Sequence, residues 1–148
     1  MNPPEELHRT ASVLWEGDVA HGHGDITTGS GKVSATYSFG TRFSGDPGTN
    51  PEELLAASHA ACFTMATSAA LTRAGHPPTS LRTTATVYLK RDGASFDVPK
   101  IHLAIEGVVA SITPEAFREI TDSAKESCPI SKALKAVPME LEATLKSG

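Results

Sequence analysis

Along the chain, strand-like alternation gives way to helical spacing twice, and turn residues mark each switch. Residues 12–15, 25–28 and 32–39 read as strands, punctuated by glycines at 17, 22, 24, 29 and 31. A helix is predicted after Gly45-Asp46-Pro47-Gly48. Asn50 can cap it, Pro51 suits its first position, and Glu53 completes a capping box with Asn50. Alanine, leucine and methionine then dominate until Gly75-His76-Pro77-Pro78 stops the helix. A second strand block follows at 81–90 and 101–109, with Arg91-Asp92-Gly93 as a hairpin turn. Thr113-Pro114-Glu115 opens a second helix, stapled by Ile112 and Phe117 and ended near Cys128 by Pro129. A short helix over 129–137 and a strand over 139–145 complete the pattern. Strands, helix, strands, helix in that order predict an α+β fold, read as one domain over 1–148 with 1–10 as a flexible extension.

Composition narrows the classes. The 148 residues suffice for a real hydrophobic core, and 39% apolar with 20% charged residues is ordinary for a globular protein. Thirteen basic and seventeen acidic residues are scattered and give a net charge of −4, which disfavours a nucleic-acid surface. Met-Asn-Pro-Pro-Glu-Glu has neither a basic nor an apolar leader region, so no secretory signal is expected. The apolar stretch 54–71 is broken by Ser58, His59, Thr64, Thr67 and Ser68, which reads as a buried helix rather than a membrane span. A cytoplasmic location is therefore expected, where two cysteines are more often reactive or simply buried than a structural bridge.

The two cysteines stand in different settings. Cys62 lies mid-helix, on a face with Leu55, Ser58, Met65 and Ala66, flanked by so many alanines that the helix should be central and well buried. It lies twelve residues past Asn50, beyond the reach of the helix dipole, so its thiol needs an outside charge. Cys128 sits where one helix ends and a proline-initiated helix begins, and free amides there lower a thiol pKa. Local physics makes Cys128 the better-activated thiol. The competing reading is that both are small, inert core residues.

The run Gly48-Thr49-Asn50-Pro51-Glu52-Glu53-Leu54-Leu55-Ala56-Ala57-Ser58-His59-Ala60-Ala61-Cys62-Phe63 resembles the signature of the OsmC/Ohr family, the osmotically inducible and organic-hydroperoxide-resistance proteins. Cys128-Pro129-Ile130-Ser131 is similar to that family's second cysteine motif, and Trp15-Glu16-Gly17-Asp18 and Thr41-Arg42-Phe43 resemble its OsmC branch. The resemblance implies an intertwined homodimer, with antiparallel sheets packed on long central helices. It also implies a thiol-dependent peroxidase acting on organic hydroperoxides and hydrogen peroxide. Cys62 would then attack, Cys128 would resolve through a disulfide, and Glu52 would anchor Arg42. No bound cofactor is implied, only an external dithiol reductant of lipoyl type. The chemistry asks for such groups: a thiolate must form near neutral pH, and a guanidinium held by a carboxylate favours it.

Other readings compete. His59 is three residues before Cys62, within reach for a Cys–His hydrolase, although no oxyanion-hole element accompanies it. His21 and His23, with only Asp25 nearby, lack a full metal-ligand set, and Glu16 and Asp18 read as surface charges. Gly22-His23-Gly24 precedes no helix, so a dinucleotide site is unsupported. The non-enzymatic alternative is a hydroperoxide-sensing or hydrophobic-ligand-binding dimer with little turnover.

Overall fold

The computed structural model describes residues 2–147, which fall into two compact units meeting between Pro51 and Glu52 in sequence. In the first unit, β1 (Ala11–Glu16), β2 (His23–Thr28) and β3 (Ser34–Tyr37) form an antiparallel meander in chain order. The turn after β2 uses Gly31 at φ +73°, a left-handed conformation that favours glycine. The third strand is shorter than the pattern predicts, because Ser38 caps a helix instead of extending the sheet. Its hydroxyl accepts from the Thr41 amide at 3.3 Å, while the Thr41 hydroxyl accepts from the Ser38 amide at 2.9 Å. This capping box starts α1 (Phe39–Phe43), an element the sequence reading did not contain.

The second unit contains α2 (Pro51–Arg73), β4 (Ser80–Val87), a small hairpin of β5 (Lys90–Asp92) and β6 (Ser95–Asp97), and β7 (Ile101–Val108). It continues with α3 (Pro114–Ser127), α4 (Pro129–Ala133) and β8 (Met139–Lys146). The strand expected over 81–90 ends at Val87, and Lys90 belongs to the hairpin, whose turn holds Gly93 at φ +62°. The last short helix stops at Ala133, before the expected 137. Strand β7 is central in the order β4-β7-β8, antiparallel to β4 but parallel to β8. The parallel pair departs from the all-antiparallel expectation, because the chain crosses over through α3 and α4 before returning to the sheet.

Alternation along β7 sends Ile101, Leu103 and Ile105 into a core shared with Phe63, Ala124 and Cys128. A second cluster joins Leu71, Val109 and Phe117. Gly107 makes room for it: a Cβ there would lie 2.7 Å from the Phe117 ring. Helix α2 is less covered than its composition suggests. Only the every-fourth-residue stripe of His59, Phe63, Thr67 and Leu71 is buried. Ala57, Ala61 and Ala69 stay exposed, and Met65 is 75% exposed, so the expectation of a well-buried central helix is corrected for the single chain. Helix α2 is long and apolar enough to cross a bilayer by length and composition, yet Phe63 and Leu71 of this stripe are engaged in the protein core.

Phe117→Ala is predicted to cost about 3–5 kcal/mol, since it empties the second cluster. Urea denaturation should show a lower midpoint at unchanged slope.

Candidate active site

Pro129 decides where the second sulfur stands. Its ring disfavours helical geometry at Cys128, which adopts φ −59°, ψ 126° and serves both as the end of α3 and as the cap of α4. The Cys128 amide closes α3 on the Ala124 carbonyl at 2.9 Å, and its own carbonyl accepts from the Lys132 amide at 3.0 Å. The side chain is thereby turned inward, fully buried. Helix α2 presents Cys62 one position before the buried Phe63, so its thiol is only half-buried. Both are free thiols, and their sulfurs are hydrogen-bonded at 2.8 Å.

The two thiols are driven apart in acidity. Burial, and then the hydrogen bond with Cys128, push Cys62 up, against a smaller opposing pull from the Ile130 amide. Burial alone would also raise Cys128. The hydrogen bond with Cys62, the amide and hydroxyl of Ser131 and the amide of Ile130 outweigh it and bring Cys128 down. A pair at this distance loses its protons in two steps, and the first negative charge settles on Cys128. The sequence-based ranking of the two thiols by acidity agrees with these directions, whereas Cys62, expected on a well-buried helix, is the less buried of the two.

His59 is completely buried and directed away from the hydrolase arrangement considered for it. Its Nε2 is 2.8 Å from the Ser131 Oγ, and its Nδ1 has no hydrogen-bond partner. Burial lowers its pKa, which keeps the ring neutral. The contact with Ser131 joins residues 72 positions apart, and no local sequence signal announces it.

Arg42 lies in α1 of the first unit, its guanidinium 5.2 Å from the centre of the Phe43 ring. It borders a cavity of about 280 Å³ lined also by Trp15, Val19, Tyr37, Ser38, Phe39 and Phe43. Glu52 is in the first turn of α2. Because that helix is unbroken, ideal geometry sets Glu52 about 15 Å along and about 280° around from Cys62. On one α2, therefore, Glu52 and Cys62 occupy different faces, while Cys62 and Cys128 are brought together sulfur to sulfur. In the first unit, the register that pairs Glu16 with His23 gathers Glu16, His23 and Asp25, with ligand atoms within 4.8 Å of one another. From sequence Glu16 reads only as a surface charge. His21 instead pairs with Asp18 at 3.1 Å, and the His21 amide and ring hold the Asp18 carboxyl below its usual range.

The profile of the OsmC-like protein family matches residues 43–142. The chain is 46% identical to "Peroxiredoxin OsmC" of Escherichia coli (strain K12), over 95% of its own length and 99% of that protein's. The chain belongs to the OsmC family. Among solved OsmC/Ohr structures, the organic hydroperoxide resistance protein OhrB of Bacillus subtilis is similar at a TM-score of 0.70 and 28% identity, with 93% of this chain and 98% of that one covered. An OsmC-like protein from Mycoplasma pneumoniae shares the fold at a TM-score of 0.76 and 14% identity, covering 95% of this chain and 98% of that one. In this OsmC-family chain both cysteine motifs fall within the matched segment.

A thiolate-absorbance titration of the reduced protein is expected to show two steps, one below and one above the ordinary thiol range. The sign for stability follows. Between the Cys128 folded value and the ordinary value the unfolded chain holds more protons, so reduced protein gains stability as pH rises. Above the ordinary value Cys62 stays protonated only in the folded state, so stability then falls. Denaturant midpoints measured across that range check both slopes.

Proposed function

We propose that this protein is a thiol-dependent peroxidase that reduces organic hydroperoxides through Cys62 and Cys128. The observation that carries the reading is the hydrogen-bonded sulfur pair, 2.8 Å apart, in a chain of the OsmC family. That separation lets a disulfide close with little side-chain movement.

Cys62 is assigned the attack because it is only half-buried, whereas Cys128 is fully buried. Its raised acidity constant is met by its neighbour. The Cys128 thiolate accepts the Cys62 proton across the sulfur pair, leaving Cys62 as the nucleophile. Cys62 then takes the terminal hydroxyl oxygen of ROOH. The O–O bond breaks, the Cys62 sulfur is oxidised to sulfenic acid, and the alkoxide leaves to take the proton from Cys128. The regenerated Cys128 thiolate attacks the Cys62 sulfur, the S–O bond breaks and hydroxide departs. In sum, the singly ionised pair and ROOH become disulfide, ROH and hydroxide. An external dithiol, of the lipoyl type in this proposal, reopens the disulfide in a reducing cytoplasm.

Arg42, with Glu52 as its anchor, is assigned the cation that favours charge at the reacting oxygens. The aromatic cavity beside Arg42 supports an alkyl or aryl hydroperoxide, since apolar surface gains about 25 cal/mol per Å² on burial. The exposed face of α2, carrying Ala57, Ala61, Met65 and Ala69, supports association with a second copy as a homodimer.

The test is consumption of cumene hydroperoxide and hydrogen peroxide by purified protein with dihydrolipoamide or dithiothreitol. Wild type should turn over repeatedly and faster with the organic peroxide. Cys62→Ser should abolish consumption, Cys128→Ser should oxidise slowly and stop after one round with sulfenic acid on Cys62, and Arg42→Ala should lose about tenfold or more in rate. Oxidation limited to a single stoichiometric event in wild type would instead favour a sensor or ligand-binding dimer.

A further inference from the structure

The peroxidase scheme leaves one buried polar contact unused. His59 is completely buried on α2 and Ser131 is 4% exposed on α4, and they meet at 2.8 Å beside the sulfur pair. Burying a polar ring in an apolar core costs stability unless its hydrogen bonds are made. Only Nε2 makes one; Nδ1 is without a partner. The less costly tautomer keeps the proton on the bonded Nε2 and leaves Nδ1 as a bare acceptor, because an orphaned N–H is the rarer and more expensive defect. His59 then donates to the Ser131 oxygen. The single hydroxyl proton of Ser131 is left free, and Ser131 stands at the third position of the helix that Cys128 caps, one turn from the Cys128 side chain.

We infer that His59 and Ser131 are positioning residues for the resolving cysteine. They form a chain from His59 Nε2–H to Ser131 Oγ–H to Cys128 Sγ that holds the Cys128 thiolate and aims it at Cys62. The direction of the Cys128 shift agrees with this geometry, since the Ser131 hydroxyl and amide both favour the charged sulfur. Other influences on Cys128 are its burial, Cys62 and the Ile130 amide. Neither His59 nor Ser131 takes part in electron transfer. Throughout, Ser131 keeps its proton, and the only bonds that change are S–S formation and S–O cleavage at Cys62. The inference rests on the assignment of Cys128 as the resolving residue.

Two measurements test it, and they fail independently. In the first, reduced protein is mixed with cumene hydroperoxide, and sulfenic acid is trapped with dimedone as a function of time. Followed from the sulfenic acid once formed, Ser131→Ala and His59→Leu should close the disulfide about tenfold or more slowly, as expected for losing a hydrogen bond to a charged group. Ser131→Thr, which keeps the hydroxyl, and His59→Gln, which keeps a donor, should restore closure. Wild-type closure in Ser131→Ala, or closure in Ser131→Thr as slow as in the alanine variant, would overturn the inference. In the second, thiolate absorbance is titrated without peroxide. Ser131→Ala should move the first ionisation up by about one pH unit and Ser131→Thr should not. An unmoved first ionisation in the alanine variant also overturns it. If wild type forms no sulfenic acid at all, the peroxidase reading fails, and the titration still decides whether the chain holds the thiolate.

Discussion

Two sulfur atoms held 2.8 Å apart inside an apolar core are the constraint on which the chemistry of this protein depends. Each helix that meets there is shaped to make the contact. Helix α2 buries only every fourth residue, which seals Phe63 into the sheet and leaves Cys62 at the boundary. Pro129 stops α3 at Cys128, turns that side chain inward and opens α4, whose first amides face the sulfur. The central strand β7 supplies the floor through Ile101, Leu103 and Ile105. In so apolar a setting two adjacent thiols cannot both ionise easily, so one proton is shared and the pair behaves as a single acid with a basic partner.

That coupling reconciles exposure with acidity. A lone half-buried cysteine, eleven residues into α2 and away from the helix N-terminus, would remain protonated. In the proposed mechanism a neighbour whose thiolate is favoured by helix-start amides and a serine hydroxyl accepts the proton that the half-buried Cys62 must lose. In that mechanism the same neighbour then closes the disulfide, so that deprotonation and resolution become two uses of one contact.

Much of this was legible in the sequence, and the reasons are specific. The boundaries of α2 and α3 follow from Pro51, Gly75, Thr113 and Pro129, whose effects on the backbone are local. The ranking of the thiols followed from the Cys128-Pro129 step alone. Helix α1 was missed although Ser38 and Thr41 carry the spacing of a capping box, because the flanking residues continue a strand-like pattern. The parallel return of β8, the covering of only one stripe of α2, and the His59–Ser131 contact depend on tertiary pairing between distant residues. No periodicity within one segment encodes them. Glu52 and Cys62 mark the limit from the other side: their ten-residue spacing is plain in the sequence, and on one straight helix it separates them.

The most direct measurement is to add one equivalent of cumene hydroperoxide to fully reduced protein and map its peptides without reduction. The account predicts one linked peptide joining Cys62 to Cys128 within a single chain, with both thiols lost together. Two free thiols after peroxide treatment, or a bridge between cysteines of different chains, would contradict it.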